Sequence, residues 1–179
     1  DNELSNLNQS VNSVMETLKV SNTLKEKTEL DEMTGLLNKA GLGRVSQEFF
    51  DECKKEQKLF ATEIIDIDTF KKYNESYGVE AGEDCIRDLG KVLSSLISDN
   101  VAVSRIGNAE FNVMYKDVTM DGLNEYADRI KKLVYDANIK HEHSESSEGR
   151  VSVSQGIGAG IPKEDAFIGE YLRKADEAM

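Results

Sequence analysis

No run of apolar residues in this sequence approaches the about 18 that a helix needs to cross a bilayer, and nothing resembling a signal peptide opens it. Asp1 rather than Met stands first, so the sequence reads as part of a longer chain, with a membrane segment or sensor upstream left open. The expected location is the cytoplasm, free or as the cytoplasmic part of a membrane-attached receptor. Basic residues are scarce: 22 Lys and Arg against 34 Asp and Glu give a net charge of −12, and no basic stripe neutralises phosphates. Nucleic acid is therefore excluded as a partner. A nucleotide escorted by a divalent cation is not, because the cation carries the compensating charge. Cysteine is limited to Cys53 and Cys85, which lack CxxC spacing and a nearby histidine cluster, as expected of reduced structural thiols. There is no Pro-rich, Gly/Ser-rich or repeated tract, and 39% hydrophobic with 31% charged residues describes a soluble globular chain. A length of 179 residues leaves room for one domain with a full core and an appendage.

The appendage comes first. Leu4, Leu7, Val11, Val14 and Leu18 recur in alternating steps of three and four, the seam of a coiled coil. The register then slips, with Ser21 and Lys25 on the old seam and Val20 and Leu24 starting a shifted one, a change that alters the winding of paired helices. Residues 1–30 are expected to form an amphipathic, coiled-coil signalling helix that makes a homodimer with a second copy; a helix folded onto its own domain is the alternative. Asp31 to Gly35 reads as the joint to a globular part over 31–179.

In that part, Leu42, Val45, Phe49 and Cys53 place a helix from Asn38 to near Gln57. Leu59 to Ile67 reads as a buried strand that exits on acids, followed by a short helical turn and a helix from about Ala81 to Ile97. Val101 to Arg105 and Glu110 to Tyr115 form a hairpin, and Gly107-Asn108 is expected to supply the positive φ values of a tight turn. A helix over Asp121 to Ala137, a polar tip over Lys140 to Arg150, a half-buried strand over Val151 to Ile157 and a helix over Glu164 to Met179 complete the chain. Such an order implies a mixed sheet with helices on its faces. His141 and His143 in the tip, and the run Ser144 to Glu148, read as a solvated loop.

Asp66 and Asp68 stand two apart at the end of the first strand, so an extended backbone turns both carboxylates to one face. Two-metal phosphoryl or nucleotidyl transfer uses such acids to hold its cations. Acids at strand ends are also common as solvated caps, and the pair alone favours that plainer reading.

Their company shifts the balance. Asp31-Glu32-Met33-Thr34-Gly35-Leu36-Leu37-Asn38-Lys39 is similar to D-x-L-T-G-L-x-N-R, and Asp66-Ile67-Asp68-Thr69-Phe70-Lys71 to D-I-D-x-F-K. Asn74 with Gly78 and Gly82 matches N-D-x-x-G-H-x-x-G-D, and Ser104 to Phe111 occupies the place of R-x-G-G-D-E-F. Ser152 to Gly156 and Ala175 to Met179 match the closing strand and helix. In order and spacing these segments resemble the GGDEF (diguanylate cyclase) family. The resemblance implies an α+β fold with a five-stranded, mixed and mostly antiparallel sheet flanked by helices, of the nucleotidyl cyclase and polymerase palm type. It also implies the joining of two GTP molecules into cyclic di-GMP by two subunits that each present one GTP. Transferred onto this sequence, it makes Asp66 the Mg²⁺ ligand and brings the Ile67, Asp68, Phe70 and Lys71 backbone to the nucleotide phosphates. Asn74 would bind guanine, as would Glu83 where the family has Asp; Val79 replaces the family's His.

The signature itself is altered to Gly107-Asn108-Ala109-Glu110-Phe111. Ala109 stands where the family has the acid that completes the metal site, and a methyl group cannot ligate a cation. Losing that ligand weakens the Mg²⁺ site and costs on the order of a thousandfold in rate. Asn108 adds a side chain where the family's second Gly lets the nucleotide approach. Glu110 is the remaining catalytic candidate, as a substitute ligand. The family's inhibitory R-x-x-D motif is replaced at Ser98 and Val101, so feedback binding of cyclic di-GMP there is not expected. The expected function is a degenerate, inactive GGDEF domain serving as a signalling, dimerisation or GTP-binding regulatory module. The alternative is an active cyclase with a non-standard metal site.

Overall fold

The computed structural model describes residues 2–146 and 148–179, with the side chains of 22–27 outside the description. The slipped register at Leu24 and Lys25, Asp1, and Ser147 of the polar tip therefore lie outside the described residues. The element order is α1 Asn2–Glu29, α2 Lys39–Glu56, β1 Phe60–Ile67, α3 Phe70–Tyr77, α4 Val79–Ser94, β2 Val101–Arg105, β3 Glu110–Lys116, α5 Met120–Asp136, β4 Val153–Gly160 and α6 Ile168–Ala178.

Among the described residues the sheet has four strands in the order β2-β3-β1-β4, and every neighbouring pair is antiparallel. This corrects the expectation of five strands in a mixed sheet. The parallel component survives as one bridge, Leu37 to Ser104, and other extended pieces likewise reach single bridges, Leu30 to Leu37 and Lys140 to Arg150. Leu37 cannot extend into a strand because it lies between the Gly35 turn (φ +72°) and Asn38, the N-cap of α2.

Alternation along the strands divides two cores. Ala61, Ile65 and Ile67 of β1 join Phe111, Val113 and Tyr115 of β3 in packing against α3, α4 and α5 through Phe70, Ile86, Leu89 and Ile130. The opposite face sets Phe60, Ala102 and Met114 against Phe49, Phe50 and Cys53 of α2 and Tyr171 of α6. There the Phe60 ring lies edge-on to Phe50 and Tyr171 at 5.5 and 5.4 Å. The α6 face of β4 is glycine rather than side chain: a Cβ at Gly156 would fall onto the Ala175 carbonyl oxygen, and one at Gly158 onto that of Tyr171. Strand β4 thus starts two residues later than the Val-Ser alternation suggests and runs on to Gly160.

Helix α1 does not fold back on the domain: Leu4, Leu7, Val11, Val14 and Leu18 are all more than half exposed. Its end is clamped to α2. Asn38 Nδ2 donates to the Thr28 carbonyl at 2.7 Å, Asn38 N to that of Glu29 at 2.8 Å, and Arg44 holds the Glu29 carboxylate with Nη2 at 2.8 Å. No helix among the described residues is long and apolar enough to cross a membrane.

Candidate functional site

The exit of β1 gathers the acids. Asp66 lies opposite Glu110 of β3 on one side and Ser154 of β4 on the other. Burial, then the Asp68 charge, pushes the Asp66 carboxyl up; burial, then Asp66 and Asp176, does the same to Glu110, with Lys39 opposing. Asp68 is engaged elsewhere. Its Oδ2 accepts from Ser152 Oγ at 2.7 Å, its Oδ1 from Ser154 Oγ at 2.5 Å, and its backbone N–H donates to the Ser152 carbonyl. The structure thus brings Asp66 and Glu110 together, while Asp68 anchors the loop to β4.

Beyond Asp68 the chain makes a left-handed turn at Thr69 (φ +51°, ψ +36°) and enters α3. Phe70 has its side chain buried in the core, whereas Lys71 is exposed. Asn74 is half-buried with its Oδ1 shielded from solvent and unpaired. That oxygen packs on Gly82 of α4, where a Cβ would collide with it. Gly78 (φ +92°) makes the sharp break between α3 and α4 that allows this approach. Glu83 follows Gly82, but its carboxylate lies 3.6 Å from Arg87 along the same helix. Val79 is exposed.

The turn from Ile106 to Ala109 is wider than a two-residue hairpin, and neither Gly107 nor Asn108 has a positive φ. This corrects the tight-turn expectation. Four connecting residues relieve the backbone of that demand, and Arg105 satisfies the turn instead, donating to the Gly107 carbonyl from Nε and the Asn108 carbonyl from Nη2, both at 3.1 Å. Its Nη1 reaches Asp31 at 3.3 Å, and Asp31 in turn accepts from Thr34 N and Oγ1. Asn108 is exposed at the tip. Ala109 packs its methyl against the main core, and its carbonyl accepts from Ile67 N at 3.0 Å. An open groove of about 470 Å³ lies beside the turn, between Lys39, Arg105 and Gly107.

Among the described residues no three His, Cys, Asp or Glu side chains are placed to share a metal ion. A cation at this corner would meet two carboxylates, Asp66 and Glu110, a set that would fit Mg²⁺ only where nucleotide phosphates and water completed its octahedron. Ala109 contributes nothing to it.

Sequence reasoning missed three residues of this corner. Ser152 and Ser154 read as polar positions of a half-buried strand but bind Asp68. His141, expected in a solvated loop, is fully buried, because its ring inserts against Tyr73 and Tyr77 and meets Thr69. The aromatic spacing of α3 was the available signal that the loop had a surface to pack on.

Comparison with known proteins places these features in a family. Residues 28–179 match the family model described as diguanylate cyclase, GGDEF domain. Uncharacterized membrane protein SERP0413 of Staphylococcus epidermidis is 26% identical over 158 residues, covering 88% of this chain and 44% of the relative. The chain thus spans less than half the length of that protein. Among solved structures, the coiled coil and GGDEF domain of DgcB from Caulobacter crescentus in complex with c-di-GMP superposes with a TM-score of 0.81 at 19% identity, over 99% of this chain and 92% of that one. Diguanylate cyclase SiaD from Pseudomonas aeruginosa, in complex with its activator SiaC, gives 0.76 at 18%, over 98% and 65%.

Proposed function

Because the chain belongs to the GGDEF family of diguanylate cyclase domains, we propose that residues 31–179 are a catalytically silent module of cyclic di-GMP signalling, joined to a dimerising helix over residues 1–30. The observation that carries this reading is Ala109: the position of the family's metal-ligating acid holds a half-buried methyl group packed against the core. With Asp68 bound to two serine hydroxyls, Asp66 and Glu110 are left to hold Mg²⁺. Bound there with a nucleotide, the cation would offset phosphate charge.

The frame for GTP is retained. The Ile67–Lys71 backbone would meet the phosphates, Lys71 would add a cation, and Asn74 with Glu83 would take the guanine. Pairing through α1 is supported by its exposed apolar stripe. It is supported too by a likeness that runs over 99% of this chain to a structure described as a coiled coil with a GGDEF domain. A relative named as a membrane protein supports a cytoplasmic domain attached to a membrane receptor.

The test is incubation of the protein with GTP and Mg²⁺ or Mn²⁺, followed by chromatography. No cyclic di-GMP is expected, and its accumulation would overturn the reading. One observation favours a second reading, an active cyclase with a non-standard metal site: Glu110 stands directly across from Asp66. In that case product forms and Glu110→Gln abolishes it.

A further inference from the structure

The loop that carries Asp68 and Thr69 is held by a segment far away in sequence. Asp68 is bound by Ser154 of β4 and by Ser152 just before that strand. The next residue, Thr69, is bound by His141, whose Nε2 lies 3.0 Å from Thr69 Oγ1. Thr69 has φ +51°, a conformation that a β-branched residue adopts only under strain. In that conformation the Thr69 side chain meets the His141 imidazole, while the Thr69 carbonyl accepts from Tyr73 N at 3.1 Å.

His141 itself is enclosed, and its Nδ1 has no hydrogen-bond partner among the described residues. It is fully buried, with its ring edge-on to Tyr73 at 5.3 Å and Tyr77 at 6.2 Å. Its backbone N–H donates to the Gly149 carbonyl at 2.8 Å, within a narrow tongue closed by the Lys140 to Arg150 bridge. The following residue donates its N–H to Tyr77 Oη at 2.8 Å. The tongue therefore grips α3 at both ends, through Thr69 at its start and Tyr77 at its finish. Between those grips lie Lys71 and Asn74.

We propose that His141 is a positioning residue for the nucleotide loop: its imidazole locks the left-handed turn at Thr69 and so sets the direction of the Ile67–Lys71 backbone and of α3. The inference rests on the reading that this loop faces a nucleotide. His141 touches no ligand and acts through Thr69.

His141→Phe keeps the aromatic packing and removes the hydrogen bond. It is expected to shift the backbone amide resonances of Asp68 to Lys71 and to weaken GTP–Mg²⁺ binding, read by calorimetry, about tenfold, the effect of one net hydrogen bond. Thr69→Gly supplies a residue that takes the left-handed turn unaided, so adding His141→Phe to it should change the loop resonances little and the affinity less than about twofold. An equal effect of His141→Phe in both backgrounds, or none in either, overturns the proposal, since a merely structural role does not depend on residue 69. If His141→Phe does not fold, Thr69→Ala leaves the imidazole in place and must shift the same amides; unchanged resonances there overturn it equally. If the parent protein gives no saturable heat with GTP, the nucleotide reading fails by itself and the amide shifts still decide the role of His141.

Discussion

Asp66 and Glu110 face each other across the antiparallel ladder of β1 and β3, each with its carboxyl pushed upward by burial. A cation bound between them competes with protons for both carboxylates, so Mg²⁺ or Mn²⁺ affinity should fall as the pH is lowered into the carboxylate range. Titration calorimetry over a series of falling pH values, compared with Glu110→Gln, checks this. A pH dependence unchanged by that substitution would place the metal elsewhere.

Restoring the signature should restore chemistry. Ala109→Glu with Asn108→Gly returns the missing carboxylate and removes the side chain at the exposed tip. Cyclic di-GMP formation should emerge from a background about a thousandfold lower or absent, read by chromatography of the GTP reaction. The new Glu must leave the core contact made by the Ala109 methyl, so a modest fall in the unfolding midpoint should accompany the gain.

Glu63 gives the fold a pH dependence. It is fully buried, Tyr115 Oη donates to its Oε1 at 3.1 Å, and its Oε2 has no hydrogen bond. Burial raises its pKa from 4.5 to about 7, against the smaller opposing effect of Tyr115. The native state holds this proton more tightly than the unfolded chain does. The favourable contribution is therefore complete below pH 4.5, is lost as pH rises to about 7, and then levels, a change on the order of 3 kcal/mol. Urea midpoints across that range should fall with pH, and Glu63→Gln should flatten the slope attributable to this group.

Arg105 connects the joint to the turn through Asp31, Gly107 and Asn108. Arg105→Ala removes the side-chain donor from the Gly107 and Asn108 carbonyls and the cation from Asp31, whose carboxylate keeps Thr34, and should cost about 2 kcal/mol by chemical denaturation. Arg105→Lys should recover only part of this, because an ammonium cannot span the fork.

Much of this arrangement was legible in the sequence. The bounds of α2 fell within a residue of Asn38 and Gln57, because Asn38 caps one end and Gln57 closes the other. Both hairpin strands were also legible, since β-branched and aromatic residues alternate along them. The turn between them was not, because Arg105 provides from a side chain what a tight hairpin would take from positive φ. The burial of His141 was hidden for a related reason: a polar tip looks solvated until its partner surface, the aromatic face of α3, is brought against it. The roles of Ser152 and Ser154 depended on strand register, which pairs Ser154 with Asp66 and leaves the next acid within their reach.

The clamp at the end of α1 has a mechanical consequence. A 28-residue helix is about 42 Å long and is fixed at one end through Thr28, Glu29, Asn38 and Arg44. It is a lever whose fulcrum lies one turn of chain away from Asp31, and through Arg105 from the signature turn. A swing of about 5° at the fulcrum carries the far tip about 4 Å, roughly half the spacing between packed helices. In a pair formed through this helix, as proposed above, small angular adjustments at Asn38 would change the contacts along its outer half.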